Sequence, residues 1–263
     1  MDPSISKMRN EVDPTQRFST RVANYVKYRP GYPAGILDTL KEECGLNCDT
    51  VIADIGSGTG ILSELFLRKG NRVFGVEPNQ EMREAAEHLF SGNMNFASIK
   101  GRAEATTLAD QSINLIAAAQ AFHWFDRPKA RVEFARILTP LGWVVLLWNE
   151  RLTTTAFLRD YEQLLRAYSK DYEKVDHRCI DADALIEFFG SASYGRNIYS
   201  NQQAFDLEGL EGRLLSSSYT PESGEPLHLL MLKELEGIFT RHQVDGRVLF
   251  EYHTTMYYGQ LRS

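Results

Sequence analysis

The sequence predicts a doubly wound α/β domain, in which parallel strands and helices alternate along the chain. Residues 51–55 form an apolar run with an acid near its end, and alternating glycines follow within residues 56–60. Apolar side chains then recur at helical spacing over residues 61–66. Strand, tight turn and helix in this order are the opening unit of such a domain. The near-continuous apolar run at residues 142–149 is typical of a parallel strand buried on both faces.

The remaining elements of the first half follow from the same patterns. Strands are expected at residues 51–55, 72–77, 94–99, 112–119 and 142–149. Helices are expected at residues 18–28, 36–44, 61–69 and 127–138. Pro30 should end the first of these helices near Tyr28, and Asp126 should cap the last one. Residues 1–16 are expected to be a loose arm.

The glycine loop at residues 56–60 indicates a site for a nucleotide-like cofactor. Gly56, Gly58 and Gly60 let the backbone approach a ligand closely, because no Cβ stands in the way. The helix that follows offers unpaired N–H groups and a positive dipole end. The spacing fits neither the dinucleotide pattern G-x-G-x-x-G nor a Walker loop. A glycine-rich turn without a ligand is the alternative interpretation.

An acid also ends the second strand. Glu77 lies 21 residues beyond Gly56, the usual distance for a carboxylate that accepts hydrogen bonds from both ribose hydroxyls. Pro78 suits the first turn of the helix that follows. The alternative is a solvated carboxylate at a strand end.

Composition narrows the class of protein. A length of 263 residues fits one large domain or one domain with a helical insertion, and the formal net charge of −6 argues against binding to nucleic-acid phosphates. No apolar run is long enough to cross a membrane, and residues 1–13 lack the apolar core of a secretory signal. The three cysteines form no zinc pattern. We therefore expect a cytoplasmic monomer or weak homodimer with reduced thiols, no metal, and no nucleic-acid or membrane partner.

The alternation of strands and helices breaks after residue 153. Amphipathic helices are expected at residues 157–168, 181–189, 207–216 and 227–242, and alternating strands at residues 197–205 and 248–261. The helices should build a cap over the cleft, and the strands should close the sheet. We therefore expect a single domain over residues 1–263, with N-terminal lid helices at 1–45, a cofactor-binding core at 46–150, and cap helices with closing strands at 151–263.

Five motifs together resemble one enzyme family. They are Y-x-x-x-R-P-x-Y-P at residues 25–33, D-I-G-S-G-T-G at 54–60, G-V-E-P-N at 75–79, Q-A-F-H-W-F-D at 120–126 and L-S-S-S-Y-T-P at 215–221. The chain resembles the class I S-adenosylmethionine-dependent methyltransferases, in particular the small-molecule branch of methyltransferase type 11 and trans-aconitate-methyltransferase-like proteins. This resemblance implies a Rossmann-like, seven-stranded mixed sheet with helical cap insertions. It also implies S-adenosylmethionine as methyl donor and S-adenosylhomocysteine as product.

The motifs and the resemblance together predict the residues that contact the cofactor. They are Tyr25, Arg29, Asp54, Gly56, Ser57, Gly58, Gly60, Glu77, Pro78, Met82, Ala103, Glu104 and Gln120. The ring of Tyr25 can face the sulfonium, and Arg29 can pair with the cofactor carboxylate. Ala103 and Glu104 match family positions that lie along the adenine, and Met82 can cover one adenine face. The alternative for the helix that carries Tyr25 is a packing role.

The methyl acceptor is expected beyond the carboxyl end of the fourth strand. Ligands of open α/β sheets bind beyond the carboxyl ends of the strands, at the point where the strand order reverses. The transferred methyl should therefore emerge near residues 120–124. The residues expected to line the acceptor side are Tyr28, His123, Trp124, Arg151 and Tyr219. A hydrogen-bonded histidine at a helix start is the alternative for His123, and a solvated charge is the alternative for Arg151.

The predicted reaction makes modest demands on the protein. Methyl transfer is an in-line displacement in which the donor already carries the activation, so the protein must align the nucleophile and exclude water. A carboxylate acceptor needs no base, whereas an amine, phenol or carbon acid does. His123 is then the best-placed candidate, with Tyr25 or Tyr219 behind it.

Three other functions compete with this one. A non-catalytic S-adenosylmethionine-binding protein would keep the same glycine loop. An NAD(P)-dependent oxidoreductase is disfavoured by the glycine spacing. RNA methylation is disfavoured by the acidic charge balance and by the absence of a basic stripe in the sequence.

Overall fold

The computed structural model describes residues 21–169, 172, 182–190 and 194–261, and they contain a seven-stranded mixed sheet. The strands are β1 (Val51–Ile55), β2 (Arg72–Val76), β3 (Phe96–Ile99), β4 (Ile113–Ala119), β5 (Leu138–Arg151), β6 (Gly195–Phe205) and β7 (Val248–Gly259). Their order across the sheet is β3-β2-β1-β4-β5-β7-β6. The expected arm at residues 1–16, the start of the first helix at Phe18, the Asp181 cap and Cys179 lie outside the described residues.

The helices follow the predicted pattern closely. They are α1 (Val22–Tyr28), α2 (Gly35–Cys44), α3 (Ile61–Leu67), α4 (Gln80–Leu89), α5 (Arg127–Ile137), α6 (Ala156–Tyr168), α7 (Ala182–Phe189), α8 (Leu207–Leu215) and α9 (His228–His242). Helix α1 ends before Pro30, and the Asp126 side chain accepts a hydrogen bond from the Lys129 amide at the start of α5. Both are as predicted. No helix within the described ranges is long and apolar enough to span a bilayer.

Strand pairing brings the carboxyl ends of five parallel strands, β1 to β5, to one edge of the sheet. β1 lies between β2 and β4 and is parallel to both. β7 runs antiparallel to β5 and β6. Strand β5 is longer than the predicted residues 142–149, because β7 pairs with it as far as Arg151 and satisfies its backbone groups there. The reversal of strand order at β1 and β4 therefore opens a crevice at this edge.

Helices cover both faces of the sheet. Apolar residues of α5 and α7 pack on one face, and those of α2, α3 and α4 pack on the other. A third apolar cluster joins α6, α8 and α9 to Phe250 and Tyr252 of β7, with Tyr28 of α1 included. Helices α1, α6, α8 and α9 therefore form a cap at the β7 side, and "the cap" below denotes these four helices.

Helix α7 departs from the prediction that the helices between residues 153 and 190 all build the cap. Its Phe188 ring lies 4.7 Å from the Phe122 ring and 5.9 Å from the Phe134 ring, centroid to centroid. Leu185, Phe188 and Phe189 are fully buried there. This apolar face is buried against the layer of α5, so the cap prediction was wrong for α7.

Tyr28 is also not where the sequence placed it. Its ring is buried against α8, and its hydroxyl donates to Glu208 over 3.3 Å. A Cβ added at Gly212 would lie 1.9 Å from this ring. The prediction that Tyr28 lines the acceptor site was wrong, because Gly212 leaves space on α8 in which the Tyr28 ring is buried.

The contact between α1 and α8 makes a specific prediction. Gly212→Ala should cost about 1–3 kcal/mol of unfolding free energy, since the new methyl group overlaps the Tyr28 ring. Gly237→Ala in α9 is the matched control. Its nearest neighbour would be 3.6 Å away, so it should stabilise the helix by about 0.5–1 kcal/mol. Urea unfolding of both variants measures the difference, and equal effects would contradict the packing described.

Candidate active site

Two cavities meet at the carboxyl edge of the sheet. The first, called the sheet-edge cleft, has a volume of about 210 Å³ and lies beyond β1, β2 and β4. The second, called the cap cavity, has a volume of about 180 Å³ and lies between the ends of β4 and β5 and the cap. Tyr25, Gln120 and Trp124 line both cavities. The two spaces are therefore neighbours with a shared wall.

The glycine loop forms the floor of the sheet-edge cleft. Gly56 has φ +69°, and a Cβ there would lie 2.6 Å from the Cβ of Ala121. Gly58 has φ +55° and faces open space. The amides of Gly56 and Ser57 donate to the Val76 carbonyl, which ties the loop to β2. The loop is thus held in a backbone conformation that L side chains rarely adopt.

Gly60 and Ser57 serve the packing of the loop. Neither lines the sheet-edge cleft. A Cβ at Gly60 would lie 2.4 Å from the Phe90 ring, and the Ser57 hydroxyl faces Gly75. Both residues have a packing role in the structure, and a contact of either residue with the cofactor stays a prediction.

Glu77 is fixed in the wall of the cleft. The residue is 8% exposed, and its Oε2 accepts from the Gly58 amide over 3.0 Å while Oε1 accepts from the Asn79 amide over 2.8 Å. Burial raises the pKa of Glu77, and these two amide hydrogen bonds oppose that rise. Its remaining lone pairs are available to hydroxyl donors in the cleft.

The far wall of the cleft is apolar. Pro78, Met82, Ala103 and Phe125 line it, which gives a planar ring an apolar contact surface. Glu104 also lines the cleft, but its Oε1 accepts from the Asp126 amide over 2.7 Å. That hydrogen bond positions the turn before α5, and the remaining lone pairs of the carboxylate are available to a ligand.

Asp54 lies beneath the loop and lines neither cavity. It is 1% exposed, and its Oδ2 accepts from the Ser63 hydroxyl over 2.7 Å. Its Oδ1 is buried and makes no hydrogen bond to any described residue. Burial raises the pKa of Asp54 to about 7. The expected direct contact with a ligand therefore becomes an indirect one, through the loop and α3.

The cap cavity contains most of the residues expected on the acceptor side. His123, Trp124, Arg151 and Tyr219 all line it. The His123 ring lies 4.8 Å from the Trp124 ring, on the short helical turn Phe122–Trp124 that follows β4. Sequence reasoning brought these four residues together correctly.

Arg29 lines the cap cavity and is absent from the wall of the sheet-edge cleft. Its guanidinium lies 4.9 Å from the Tyr25 ring centroid and donates to the Ser216 carbonyl over 2.9 Å. Burial lowers the pKa of Arg29, and the positive charge of Arg213 lowers it further.

Gln120 links the two cavities. Its φ of +55° is unusual for a residue with a side chain. The conformation is held by hydrogen bonds from its amide to the Leu147 carbonyl and from its Nε2 to the Asn149 carbonyl. The side chain is therefore fixed at the boundary between the cleft and the cap cavity.

Arg151 already has a counter-charge. Its Nη2 lies 2.5 Å from Oε2 of Glu162 and 3.0 Å from the Tyr172 hydroxyl. Its guanidinium also lies over the Tyr161 ring at 4.8 Å. The positive charge offered to an acidic ligand is correspondingly reduced.

Several residues of the cap cavity were missed by sequence reasoning. They are Trp148, Tyr161, Tyr172, Arg213 and Tyr252. For Arg213 a signal existed, because it lies at helical spacing with Leu210 and Leu214 on the buried face of α8. A cation on an otherwise apolar helix face indicates a site or an internal hydrogen-bond network.

Comparison with known proteins identifies relatives. Residues 53–146 match the family model described as a methyltransferase domain. A protein of Schizosaccharomyces pombe named as an uncharacterized methyltransferase-like protein is 32% identical over 165 residues, 62% of this chain and 63% of that protein. An uncharacterized methyltransferase of Mycobacterium tuberculosis is 31% identical over 153 residues, 58% of this chain and 60% of the relative. The matches thus span less than two thirds of these relatives' lengths.

Solved structures share the fold. A protein from Anaeromyxobacter dehalogenans, described as a candidate type II methyltransferase, superposes with a TM-score of 0.66 at 16% identity, covering 89% of this chain and 98% of that one. A protein from Anabaena variabilis, described as a candidate methyltransferase from an antibiotic biosynthesis pathway, gives a TM-score of 0.59 at 22% identity, covering 88% and 98%. The predicted seven-stranded mixed sheet is confirmed by this likeness.

The buried contacts of Glu77 predict its effect on ligand binding. Glu77→Ala should weaken S-adenosylhomocysteine binding at least tenfold, in line with the loss of charge-assisted hydrogen bonds of roughly 1.5–3 kcal/mol. Glu87→Ala, at an exposed position of α4, is the matched control and should bind normally. Calorimetric titration measures both, and unchanged binding by the Glu77 variant would refute the ribose role.

The raised pKa of Asp54 predicts a pH-dependent stability. The pKa of Asp54 is about 7 in the folded state, above its ordinary value of 3.8. Ionisation of Asp54 is therefore disfavoured in the folded state, and the folded protein loses stability as pH rises from 3.8 to about 7. Asparagine does not ionise, so the unfolding free energy of Asp54→Asn relative to that of the parent should rise by up to about 4 kcal/mol as pH increases from 4 to 7. Urea unfolding without ligand at pH 5 and pH 8 tests this; an equal difference at both values would contradict it.

Proposed function

We propose that the chain is a class I S-adenosylmethionine-dependent methyltransferase and that it transfers a methyl group to a small-molecule acceptor held in the cap cavity. The observation that supports this most is the shared wall of the two cavities, where Tyr25, Gln120 and Trp124 line both. A donor in the cleft and an acceptor in the cap cavity would meet there. Enclosure by the cap suits a small molecule better than a macromolecular chain.

The sheet-edge cleft fits the cofactor that this family uses. Glu77 offers fixed carboxylate oxygens for ribose hydroxyls, Met82 and Ala103 offer an apolar wall for adenine, and Gly58 leaves the space that a Cβ would occupy. When bound, S-adenosylmethionine supplies a methyl group activated by its sulfonium. The match of residues 53–146 to a methyltransferase domain counts against the NAD(P)-dependent oxidoreductase alternative.

The residues of the cap cavity would orient the acceptor and keep water out. Trp124 and Tyr25 supply aromatic walls at the junction, and Gln120 is held there by its two hydrogen bonds. Fixing the acceptor atom in line with the leaving group accounts for most of the catalysis that such a displacement needs.

We propose a carboxylate as the acceptor group. Arg29, Arg151 and Arg213 line the cap cavity. Glu162 balances the charge of Arg151, so Arg29 and Arg213 remain against the one lining carboxylate, Glu150, and the balance of charge favours an organic acid. A carboxylate is ionised at neutral pH and needs no general base. His123 would then orient the acceptor, and it would act as base only for a protonated nucleophile.

The acceptor class is tested with methyl-labelled S-adenosylmethionine. The protein is incubated with a panel of small carboxylic acids and, as matched controls, with their amides and with small amines and phenols. Mass spectrometry should detect labelled methyl esters of the acids alone. Labelled amines or phenols without esters would overturn the carboxylate assignment. Cofactor binding without transfer to any of these small molecules would favour the non-catalytic alternative.

The position of His123 gives a further prediction. His123→Ala should leave S-adenosylhomocysteine affinity within about twofold while lowering turnover by roughly tenfold or more, because His123 lines the cap cavity and not the cleft. His88→Ala, at an exposed position of α4, should change neither quantity. Loss of cofactor binding in the His123 variant would show that residue 123 serves the donor side.

A further inference from the structure

Strand β6 forms one edge of the sheet. It spans 11 residues and pairs with β7 along its whole length without a register shift. Within the described ranges of the chain, the backbone of β6 makes hydrogen bonds to β7 alone. Alternate residues of β6 therefore direct their N–H and C=O groups outward, away from the sheet. The opposite edge strand, β3, is only four residues long.

The usual protections of an edge strand are missing from β6. Edge strands are commonly kept from pairing by proline, by lysine, by a bulge or by a covering helix. β6 contains no proline, lysine or bulge, and Arg196 is its one charged residue. Its alternate side chains on one face are all exposed, and they are Arg196, Ile198, Ser200, Gln202 and Ala204. A long and regular edge of this kind can accept a further strand.

The other face of β6 is already covered. The Tyr199 hydroxyl donates to the Thr39 hydroxyl of α2 over 2.6 Å, and the Asn201 Nδ2 donates to the Gly31 carbonyl over 2.9 Å. These contacts hold α2 and the segment after α1 against the strand. A partner must therefore approach in the plane of the sheet, along the free edge.

A second copy of the chain matches this edge. Antiparallel pairing about a two-fold axis at Ser200 places Arg196 of one copy opposite Ala204 of the other, and Ile198 opposite Gln202. Ser200 then lies opposite itself. Because each strand carries a single charge, no like charges lie opposite each other in this register. Ala204 is small and leaves room for the arginine side chain.

Charges of opposite sign lie at the two ends of β6. Arg196 is near the start, where its positive charge acts on Glu150 of the same copy. Asp206 follows the end, with an extended backbone, and its Oδ1 accepts from the Gly209 amide at the start of α8. In the antiparallel pair Arg196 lies diagonally across from Asp206 of the second copy, within reach of a long side chain. Parallel pairing in register would instead bring two copies of Arg196 together.

We propose that β6 is the interface of a homodimer, in which two copies pair antiparallel along this edge and join their sheets into one. The contact uses the same strand in both copies, so it closes on itself and ends at two chains. Strand pairing without a large apolar surface gives a weak, concentration-dependent dimer. The inference concerns assembly and does not depend on the proposed methyl transfer.

Sedimentation measures the assembly. Analytical ultracentrifugation over a roughly hundredfold range of concentration should show a reversible monomer–dimer equilibrium of the parent protein. Ile198→Lys should raise the dimer Kd at least about tenfold, because lysine on an edge strand opposes pairing. Val132→Lys, at a 70% exposed position of α5, is the matched control and should leave the Kd unchanged. Circular dichroism should show that both variants are folded, since both positions are exposed.

A cysteine on the axis tests the register. In a background with Cys44, Cys48 and Cys179 replaced by alanine, Ser200→Cys should link two copies through a short thiol crosslinker, because Cβ atoms of directly opposite residues lie about 5 Å apart. Ser91→Cys, at an exposed position after α4, is the matched control and should not link two copies.

Three results would overturn the proposal. A parent protein that stays monomeric over the whole concentration range would refute the dimer. A dimer that Ile198→Lys does not weaken would place the interface elsewhere on the molecule. A dimer weakened by Ile198→Lys but not linked through Ser200→Cys would contradict the antiparallel register. Each of these results is obtained without cofactor or acceptor, so none of them bears on the proposed function.

Discussion

One buried carboxylate connects the parts of the proposed donor site. Glu77, at the end of β2, accepts hydrogen bonds from the amide of Gly58 in the glycine loop and from that of Asn79 before α4. The two carboxylate oxygens of Glu77 therefore hold both the glycine loop and the start of α4 in place beside the cleft. Desolvation raises the pKa of this group, and the two amide hydrogen bonds oppose that rise. Binding geometry is thereby set before any ligand arrives.

Two arginines at the ends of α1 hold the cap together. Arg21 donates to the hydroxyl and carbonyl of Thr220 over 2.6 and 2.5 Å, and Arg29 donates to the Ser216 carbonyl. These bonds fix the segment after α8 against α1, which places Tyr219 and Arg213 around the cap cavity. The sheet and its loops line the sheet-edge cleft, whereas cap residues such as Arg213 and Tyr219 line the cap cavity.

Sequence patterns predicted the sheet and the glycine loop at its edge because both depend on local rules. Apolar runs, acids at strand ends and glycines with positive φ are required within a few residues of one another, as at Asp54, Gly56 and Glu77. The acceptor side could be predicted only in part. Packing between residues far apart in the chain decides whether Tyr28 faces a cavity or a glycine of α8. Packing of the same kind decides whether α7 joins the cap or the sheet. Helical periodicity is the same in both cases.

Calorimetric titration of the purified protein with S-adenosylmethionine, S-adenosylhomocysteine and NADH tests the cofactor assignment most directly. The geometry of Glu77 and the glycine loop predicts micromolar binding of both sulfur ligands with one site each, and no binding of the dinucleotide. Binding of NADH without the sulfur ligands would contradict the donor site, and with it the acceptor assignments built beside it.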